Sequence, residues 1–402
     1  MTEVINRQHL NQILRDLSDE LDVPPSKYEE AKEHYDAVGD WLGEDDSELA
    51  PYEPVIYPQG SFALGTAVRP LGDDDYDVDA VCLLQLSADE VTQQRLKAMV
   101  GNRLKHPRSR YRDMLDPRDG GRRCWTIRYA DSSKFHLDVL PAIPDDYTWL
   151  VALGVPEEQA QEAICITDRE TWDADIDWLR SNPKGYVQWF KSRMRVRLEE
   201  ERRAMAMAKK ADVQAIDDYQ VRTPLQRVVQ LLKRHRDLRY NGDDDKPISI
   251  IITTLAASAY NNEADLLDAI LNVVPGMRNA IENRDGVLWV RNPVNPQENF
   301  ADRWMDHPRK QQLFFEWLEA VEREHRHLLT DPGFEKVGEY LAESYGQRDA
   351  KAAMTKYASR RTAQGGSVPV APVILVPRRS NPSNEPSYAN IEVAKPSKPW
   401  KP

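Results

Sequence analysis

QGSFALGTAVRPLGDDDYDVDAVCLL (59–84) and KFHLDVLPAIP (134–144) are the two stretches whose reading decides the fold. Gln59-Gly60-Ser61 follows a short extended run, Val55-Ile56-Tyr57, and precedes a short helical segment. A glycine lets the backbone come close to a phosphate, and a serine after it offers a hydroxyl and an amide at a helix start. Alone, a Gly-Ser pair is common in turns and decides nothing. Tyr76 to Leu84 reads as a strand, so Asp77 and Asp79 project from the same face, roughly 7 Å apart at Cα. Two carboxylates so placed repel each other and would weaken an ordinary sheet. A divalent cation removes the conflict, because Mg²⁺ favours one or two carboxylates plus substrate phosphates. Asp73-Asp74-Asp75, just before, reads as a solvated turn. In the second stretch alternation sets Phe135, Leu137 and Val139 on one face and His136, Asp138 and Leu140 on the other. An acid inside an apolar strand is costly without compensation. Either Asp138 is a third ligand for the same metal pair and a base for an incoming hydroxyl, or it pairs with a cation such as Arg128.

Outward from these stretches the chain divides into four parts. Residues 1–50 predict two helices: Leu10, Ile13, Leu14, Leu17 and Leu21 form one apolar stripe, and Tyr28, Ala31, Tyr35, Val38 and Leu42 a second. Pro24-Pro25 separates them, and Ser26 with Glu29 has the pattern of a capping box. Residues 51–200 mix strands and helices, with further strands expected over Cys124–Tyr129 and Lys134–Ile143 and a Ser87/Glu90-capped helix between. Residues 201–345 are mostly helical, with helices expected over Leu225–Leu238, Ser249–Tyr260 and Leu313–Leu329. From Gly346 the chain holds 8 of its 27 prolines and Gly365-Gly366, which predicts an extended or flexible tail. Its apolar, proline-broken Val368–Val376 run suits docking on the body or a partner. The fold class is therefore α+β, with a mixed-sheet lobe and a helical lobe.

Charge narrows the function. Asp and Glu total 66 against 54 Lys and Arg, a net charge of −12. The part from Gly346 has ten basic and three acidic residues, hence +7, which leaves −19 on the body. Such a body disfavours a long polyanion held along it. Arg193, Arg195, Arg197, Arg202 and Arg203 alternate with Glu199-Glu200-Glu201 and read as a salt-bridged helix surface. Arg234, His235, Arg236 and Arg239 read mostly as the solvated face of their helix. His325 and His327, two apart in a helix, do not suit a metal pair, and Trp189 and Phe190 read as core. No stretch has the roughly 18 apolar residues of a membrane span and no signal core opens the chain. Three scattered cysteines (Cys82, Cys124, Cys165) fit a reducing cytoplasm.

Gly-Ser, then Asp-x-Asp sixteen to eighteen residues after the serine, then a third Asp in mid-strand: this set resembles the DNA polymerase β-like nucleotidyltransferases. More narrowly the chain resembles the bacterial cGAS/DncV-like nucleotidyltransferases (CD-NTases, the SMODS group). That likeness adds SNPKGYVQWFKSRM (181–194), LLKRHRD (231–237), PISIIITTLAA (247–257) and NPVNPQENFADRW (292–304) to the two stretches above. It implies a two-lobed polymerase β-like enzyme in which the N-terminal helices brace both lobes. Asp77, Asp79 and Asp138 would hold two Mg²⁺ ions, for which Mn²⁺ can substitute, and Asp138 would help take the proton. Gln59, Gly60 and Ser61 would cradle the phosphates. Lys233 and Ser249 match the places from which the family's helical lobe supplies a lysine and a serine to the triphosphate. Ser249 read by itself is equally an N-cap. The family often follows that serine with a base-stacking aromatic residue; here Ile250 follows, so stacking falls to another residue, such as a tyrosine.

The implied activity is attack of a ribose hydroxyl on the α-phosphate of a nucleoside triphosphate, ATP among them, with pyrophosphate leaving, repeated to close a cyclic di- or trinucleotide. In the family such products signal in antiphage defence (CBASS), which implies effector or regulatory protein partners, with the tail as one contact. No counterpart of the zinc insertion of animal cGAS is present. Two readings compete: a template-independent RNA-tailing or linear oligonucleotide-synthesising enzyme, which needs a basic track, and an inactive nucleotide-binding module, against which retention of all three carboxylates argues.

Overall fold

The computed structural model describes residues 6–363 apart from 73, 118–119, 130–133, 173–177 and 331–332. The Val368–Val376 run and the rest of 364–402 lie outside the described residues. Two helices lead: α1 (Arg7–Leu21) and α2 (Pro25–Gly43). The apolar stripe of α1 is fully buried, at roughly 1.5–3 kcal/mol per large side chain. The Ser26–Glu29 capping box does not form. Pro25 is already the first helical residue, after Pro24, and it lacks the N–H that a cap would satisfy.

The elements of the sheet lobe follow as β1 (Val55–Pro58), α3 (Gly60–Leu64), β2 (Tyr76–Leu83), α4 (Gln93–Leu104), β3 (Trp125–Tyr129), β4 (Phe135–Pro144), α5 (Thr148–Ala152), α6 (Glu157–Ala160), β5 (Ile164–Ile166) and β6 (Leu179–Ser181). The strands form one mixed sheet in the order β1-β2-β4-β5-β6, with β3 beside the first half of β4. β2 and β4 run parallel, and the other pairs are antiparallel. Strands β5 and β6, three residues each, escaped the sequence reading because so short a run leaves no alternation to count. Ser87 and Glu90 do bond each other, but in a turn; α4 starts later, capped by Thr92.

The helical lobe comprises α7 (Pro183–Arg193), α8 (Arg195–Lys209), α9 (Pro224–Arg239), α10 (Ser249–Ala259), α11 (Leu266–Asn279), two small hairpins from β7 (Glu282–Arg284), β8 (Val287–Trp289), β9 (Arg291–Asn292) and β10 (Asn295–Asn299), then α12 (Pro308–Thr330), α13 (Phe334–Tyr345) and α14 (Gln347–Ala363). One core gathers α1 with these helices, through residues such as Leu14, Leu17, Phe190, Leu225 and Trp317. A second gathers α2 with one face of the sheet, through Val38, Leu42, Ala80, Leu137 and Val139. Adjacent helices α1 and α2 thus pack into different cores.

Two further expectations are corrected. The chain from Gly346 is not extended at first: Gln347–Ala363 is helical, and Ala350, Ala353, Met354 and Tyr357 are buried. The prolines that suggested a tail begin only at Pro369, and the alanine-rich segment before them is a good helix former. Two of its cations are paired with α1, Lys356 with Asp19 at 2.8 Å and Arg360 with Asp16. Second, α9 has no solvated basic face at its centre. Arg234, His235 and Arg236 are buried, at 2%, 3% and 7% exposure. Each has an acidic partner: Asp349 on α14 for Arg234, Glu324 on α12 for His235, and Asp237 for Arg236.

Candidate active site

The parallel register of β2 and β4 builds the site. It sets Asp77 opposite His136 and Asp79 opposite Asp138. Asp77, Asp79 and Asp138 therefore stand on one face of neighbouring strands, while Val78, Ala80, Leu137 and Val139 are buried on the other. The pairing of Asp138 with Arg128 does not occur. Arg128 binds Asp116, and Asp138 accepts a 2.5 Å hydrogen bond from the Thr126 hydroxyl across the β3–β4 ladder. His136 is turned to Asp75, 2.9 Å away.

Electrostatics mark this row. Burial, then the charges of Asp77 and Asp138, push the Asp79 carboxyl up to about 7, against which Lys233 pulls. Burial and Asp138 raise Asp77 as well. Like charges held close without a counter-ion behave this way. The carboxylates form a strip and are not drawn to a single point: among the described residues no three His, Cys, Asp or Glu side chains are gathered as a closed cation site. All the donors of the strip are hard carboxylate oxygens, the set that fits Mg²⁺.

The Gly-Ser turn closes over this strip. The Gln59 N–H donates to the Asp79 carbonyl at 2.8 Å. Gly60 has φ +61°, and a Cβ there would lie 2.6 Å from Asp79 Oδ2, so this position requires glycine. Ser61 follows in the first turn of α3. A cavity of about 520 Å³ opens beside it, lined by Ser61, Tyr76, Asp77, Arg69, Arg236 and Lys246. Its size suits a nucleotide. A second cavity, about 510 Å³, lies between α2, α3 and α8 and touches none of the three strand carboxylates. Chemistry, and not cavity size, selects the first.

Helix α9 meets the turn from the other lobe. Lys233 is buried, and its ammonium donates to the Thr66 carbonyl at 3.0 Å. Burial, aided by Arg236, lowers its pKa to about 7, and Asp79 opposes the shift. Ser249 is the first residue of α10, not its cap, which is Ile248; its hydroxyl accepts from Arg236 at 2.9 Å. Arg236 thus ties Ser249 to the cavity wall. The sequence reading missed Gln226 and Gln230, whose amides reach the Leu64 and Ala67 carbonyls. Residues 226, 230, 233 and 234 do share one stripe of the helix, but Arg227, His235, Arg236, Asp237 and Arg239 are polar too, so the pattern did not single them out.

This mixed sheet with an acidic strip, set under a Gly-Ser turn and against a helical lobe, defines a nucleotidyltransferase of the polymerase β-like class. Comparison with known proteins narrows the class. Residues 54–141 match the family described as cyclic GMP-AMP synthase DncV-like, nucleotidyltransferase domain. A c-di-GMP synthase of Roseivirga ehrenbergii is 30% identical over 345 residues, 85% of each chain. The fold matches the Bradyrhizobium diazoefficiens CD-NTase CdnG, solved in complex with GTP, at TM-score 0.67 and 22% identity, over 86% of this chain and 97% of that one. It also matches the CdnC of E. coli MS115-1, solved with a HORMA protein, at TM-score 0.58 and 16% identity, over 85% and 97%. The chain belongs to the cGAS/DncV-like nucleotidyltransferases.

Proposed function

We propose that this nucleotidyltransferase joins nucleoside triphosphates into a cyclic dinucleotide, with Asp77, Asp79 and Asp138 as its metal-binding acids. The observation that carries this is the β2–β4 register, which lines up three carboxylates beneath Gly60-Ser61. Two Mg²⁺ ions held there would supply charge neutralisation on the triphosphate and a lowered pKa for the attacking ribose hydroxyl. The protein's own groups do the positioning. Gln59, Gly60 and Ser61 receive the β- and γ-phosphates, Lys233 and Ser249 complete their cradle from the helical lobe, and Asp138, which accepts from the Thr126 hydroxyl, takes the hydroxyl proton. The sequence reading expected ATP among the substrates; the named activity of the Roseivirga relative makes GTP the first nucleotide to test. The described residues contain no helix long and apolar enough to cross a membrane. Free thiols at all three cysteines suit a cytoplasmic setting. A role in CBASS signalling, with protein partners reached through residues 364–402, completes the reading. The HORMA complex of CdnC is a precedent for such a partner.

The test supplies labelled NTPs and Mg²⁺, then phosphatase. A phosphatase-resistant small product is expected, and Asp77→Ala or Asp138→Ala should lower its rate by at least ~10³-fold. Label in long RNA would favour the tailing reading, and no incorporation would leave the nucleotide-binding module. A fully active Asp77→Ala or Asp138→Ala would reject the metal assignment.

A further inference from the structure

The segment from the last residue of the Gly-Ser helix, Leu64, to Arg69 has little regular structure beyond that helix end, yet α9 takes four of its six carbonyls. Gln226 Nε2 donates to Leu64 O at 2.9 Å, Lys233 Nζ to Thr66 O at 3.0 Å, Gln230 Nε2 to Ala67 O at 2.9 Å and Arg234 to Arg69 O at 2.6 Å. These four side chains lie on one stripe of the helix. The segment is tied back to the phosphate turn, because Thr66 N–H donates to the Ser61 carbonyl at 2.9 Å.

Lys233 has a role in the site already; the glutamines do not. Both are buried, Gln230 completely and Gln226 at 4% exposure. Gln226 is locked twice: it completes a capping box with Thr223, and it also reaches Leu64. A Cβ at Gly65 would run into its amide, so the glycine clears the way for this bond. Gln230 sends its amide to Asp22 Oδ1 as well, at 2.8 Å, which joins the segment to the α1–α2 junction. Its own Oε1 has no partner among the described residues. Both acceptors face the amide nitrogen, so the orientation is set by what the residue donates. A buried amide with an unmet oxygen is costly, and an apolar side chain would fill the same space without that cost.

We propose that Gln226 and Gln230 are positioning residues for nucleotidyl transfer: by holding the Leu64 and Ala67 carbonyls they fix where the Gly60-Ser61 turn stands over Asp77 and Asp79. The inference rests on the phosphate-cradling role proposed above for that turn. Displacement of a reacting group by about 1 Å costs up to ~10²-fold in rate. The two side chains touch no substrate themselves.

The experiment uses the full chain with Gln230→Met and Gln226→Met, which keep bulk and remove the donor. A third variant, Gln93→Met, removes a buried bond that involves neither α9 nor the Leu64–Arg69 segment: the Gln93 amide oxygen accepts from the Asp168 N–H at 2.9 Å. Cyclisation kinetics are measured with GTP, and calorimetry measures the affinity and stoichiometry for a non-hydrolysable GTP analogue, all well below the melting temperature. Gln230→Met and Gln226→Met should lower kcat/KM by ~10–100-fold, with weaker analogue binding at unchanged stoichiometry. Gln93→Met should lower only the melting temperature. Glutamine variants that melt early but keep wild-type kcat and KM would overturn the inference and make the residues structural. If Gln230→Met does not fold, Gln226→Met, which strands the Leu64 carbonyl and opens the capping box at Thr223, decides alone. A wild-type protein that takes no nucleotide would instead overturn the function proposed above, and this inference with it.

Discussion

Helices α8 and α9 look alike on paper. RVRLEEERRAMAMAK and PLQRVVQLLKRHRDLR are both rich in cations, and both predict a solvated basic face. In the folded chain they are opposites. On α8 only Ala206 is buried, and its cations meet nearby acids at the surface: Arg197 with Glu200 at 2.5 Å, Arg203 with Glu199 at 3.8 Å. On α9 twelve of sixteen residues are buried, Lys233, Arg234, His235 and Arg236 among them. The difference lies in where the counter-charges come from. Acids on the helix or beside it, Glu199, Glu200 and Asp218, meet the cations of α8 at the surface. Asp349, Glu324 and the carbonyls of Leu64–Arg69 take those of α9 into the junction of the two lobes, where each cation must be matched.

The sharpest way to break this contrast is Asp349→Ala. It strands Arg234, whose side chain is 2% exposed and whose carboxylate partner lies 2.9 Å away. Removing one member of a buried pair costs roughly 3–5 kcal/mol. Denaturant unfolding should show that loss; one below ~1 kcal/mol would mean that α9 is as solvated as α8. Lys233→Met comes next. Loss of the cation from the proposed phosphate cradle should lower kcat/KM by ~10²-fold, while the melting temperature moves little, because an apolar side chain no longer carries the desolvation cost. A large fall in stability with intact kinetics would instead make Lys233 only a clamp on Thr66.

The contrast also explains which features were legible in the sequence. Asp77, Asp79 and Asp138 could be read because strand alternation is local, and the superfamily resemblance joined the pieces before the register was known. The helices of 224–239, 249–259 and 308–330 announced themselves by period. Burial of Arg234 could not be read, because its partner lies 115 residues away in a segment whose downstream prolines suggested a tail. The functions of Gln226 and Gln230 were hidden for the same reason: their acceptors are backbone carbonyls more than 160 residues earlier. Spacing reveals what a residue shares with its own element, whereas burial of a polar group depends on what the rest of the chain brings to it.

Lys233 also sharpens the contrast through pH. Its folded-state pKa, lowered from 10.5 to about 7, means the native state binds fewer protons than the unfolded chain between those values. Stability from this group therefore rises with pH from about 7 toward 10.5 and is lost as pH falls through 7. Asp79, raised from 3.8 to about 7, works the other way below neutrality: without metal, stability falls as pH climbs from about 4 to 7. Melting curves of metal-free protein should show the alkaline gain in the wild type, and Lys233→Met should lack it. An identical alkaline slope in both proteins would assign it to other groups.

The smallest expected effect lies on α8. Arg203 is 68% exposed, and its glutamate partner 53%, at 3.8 Å. Exposed pairs of this kind contribute ~0.5 kcal/mol or less, so Arg203→Ala should leave the unfolding midpoint, the cyclisation rate and any weak RNA affinity where they were. This null result is informative because a tailing enzyme would need exposed cations as its RNA track, and α8 offers Arg195 and Arg203 on its surface. If Arg203→Ala weakened RNA binding with a reduced salt dependence, the glutamates of α8 would not be neutralising it, and the acidic body would after all carry a path for a long polyanion.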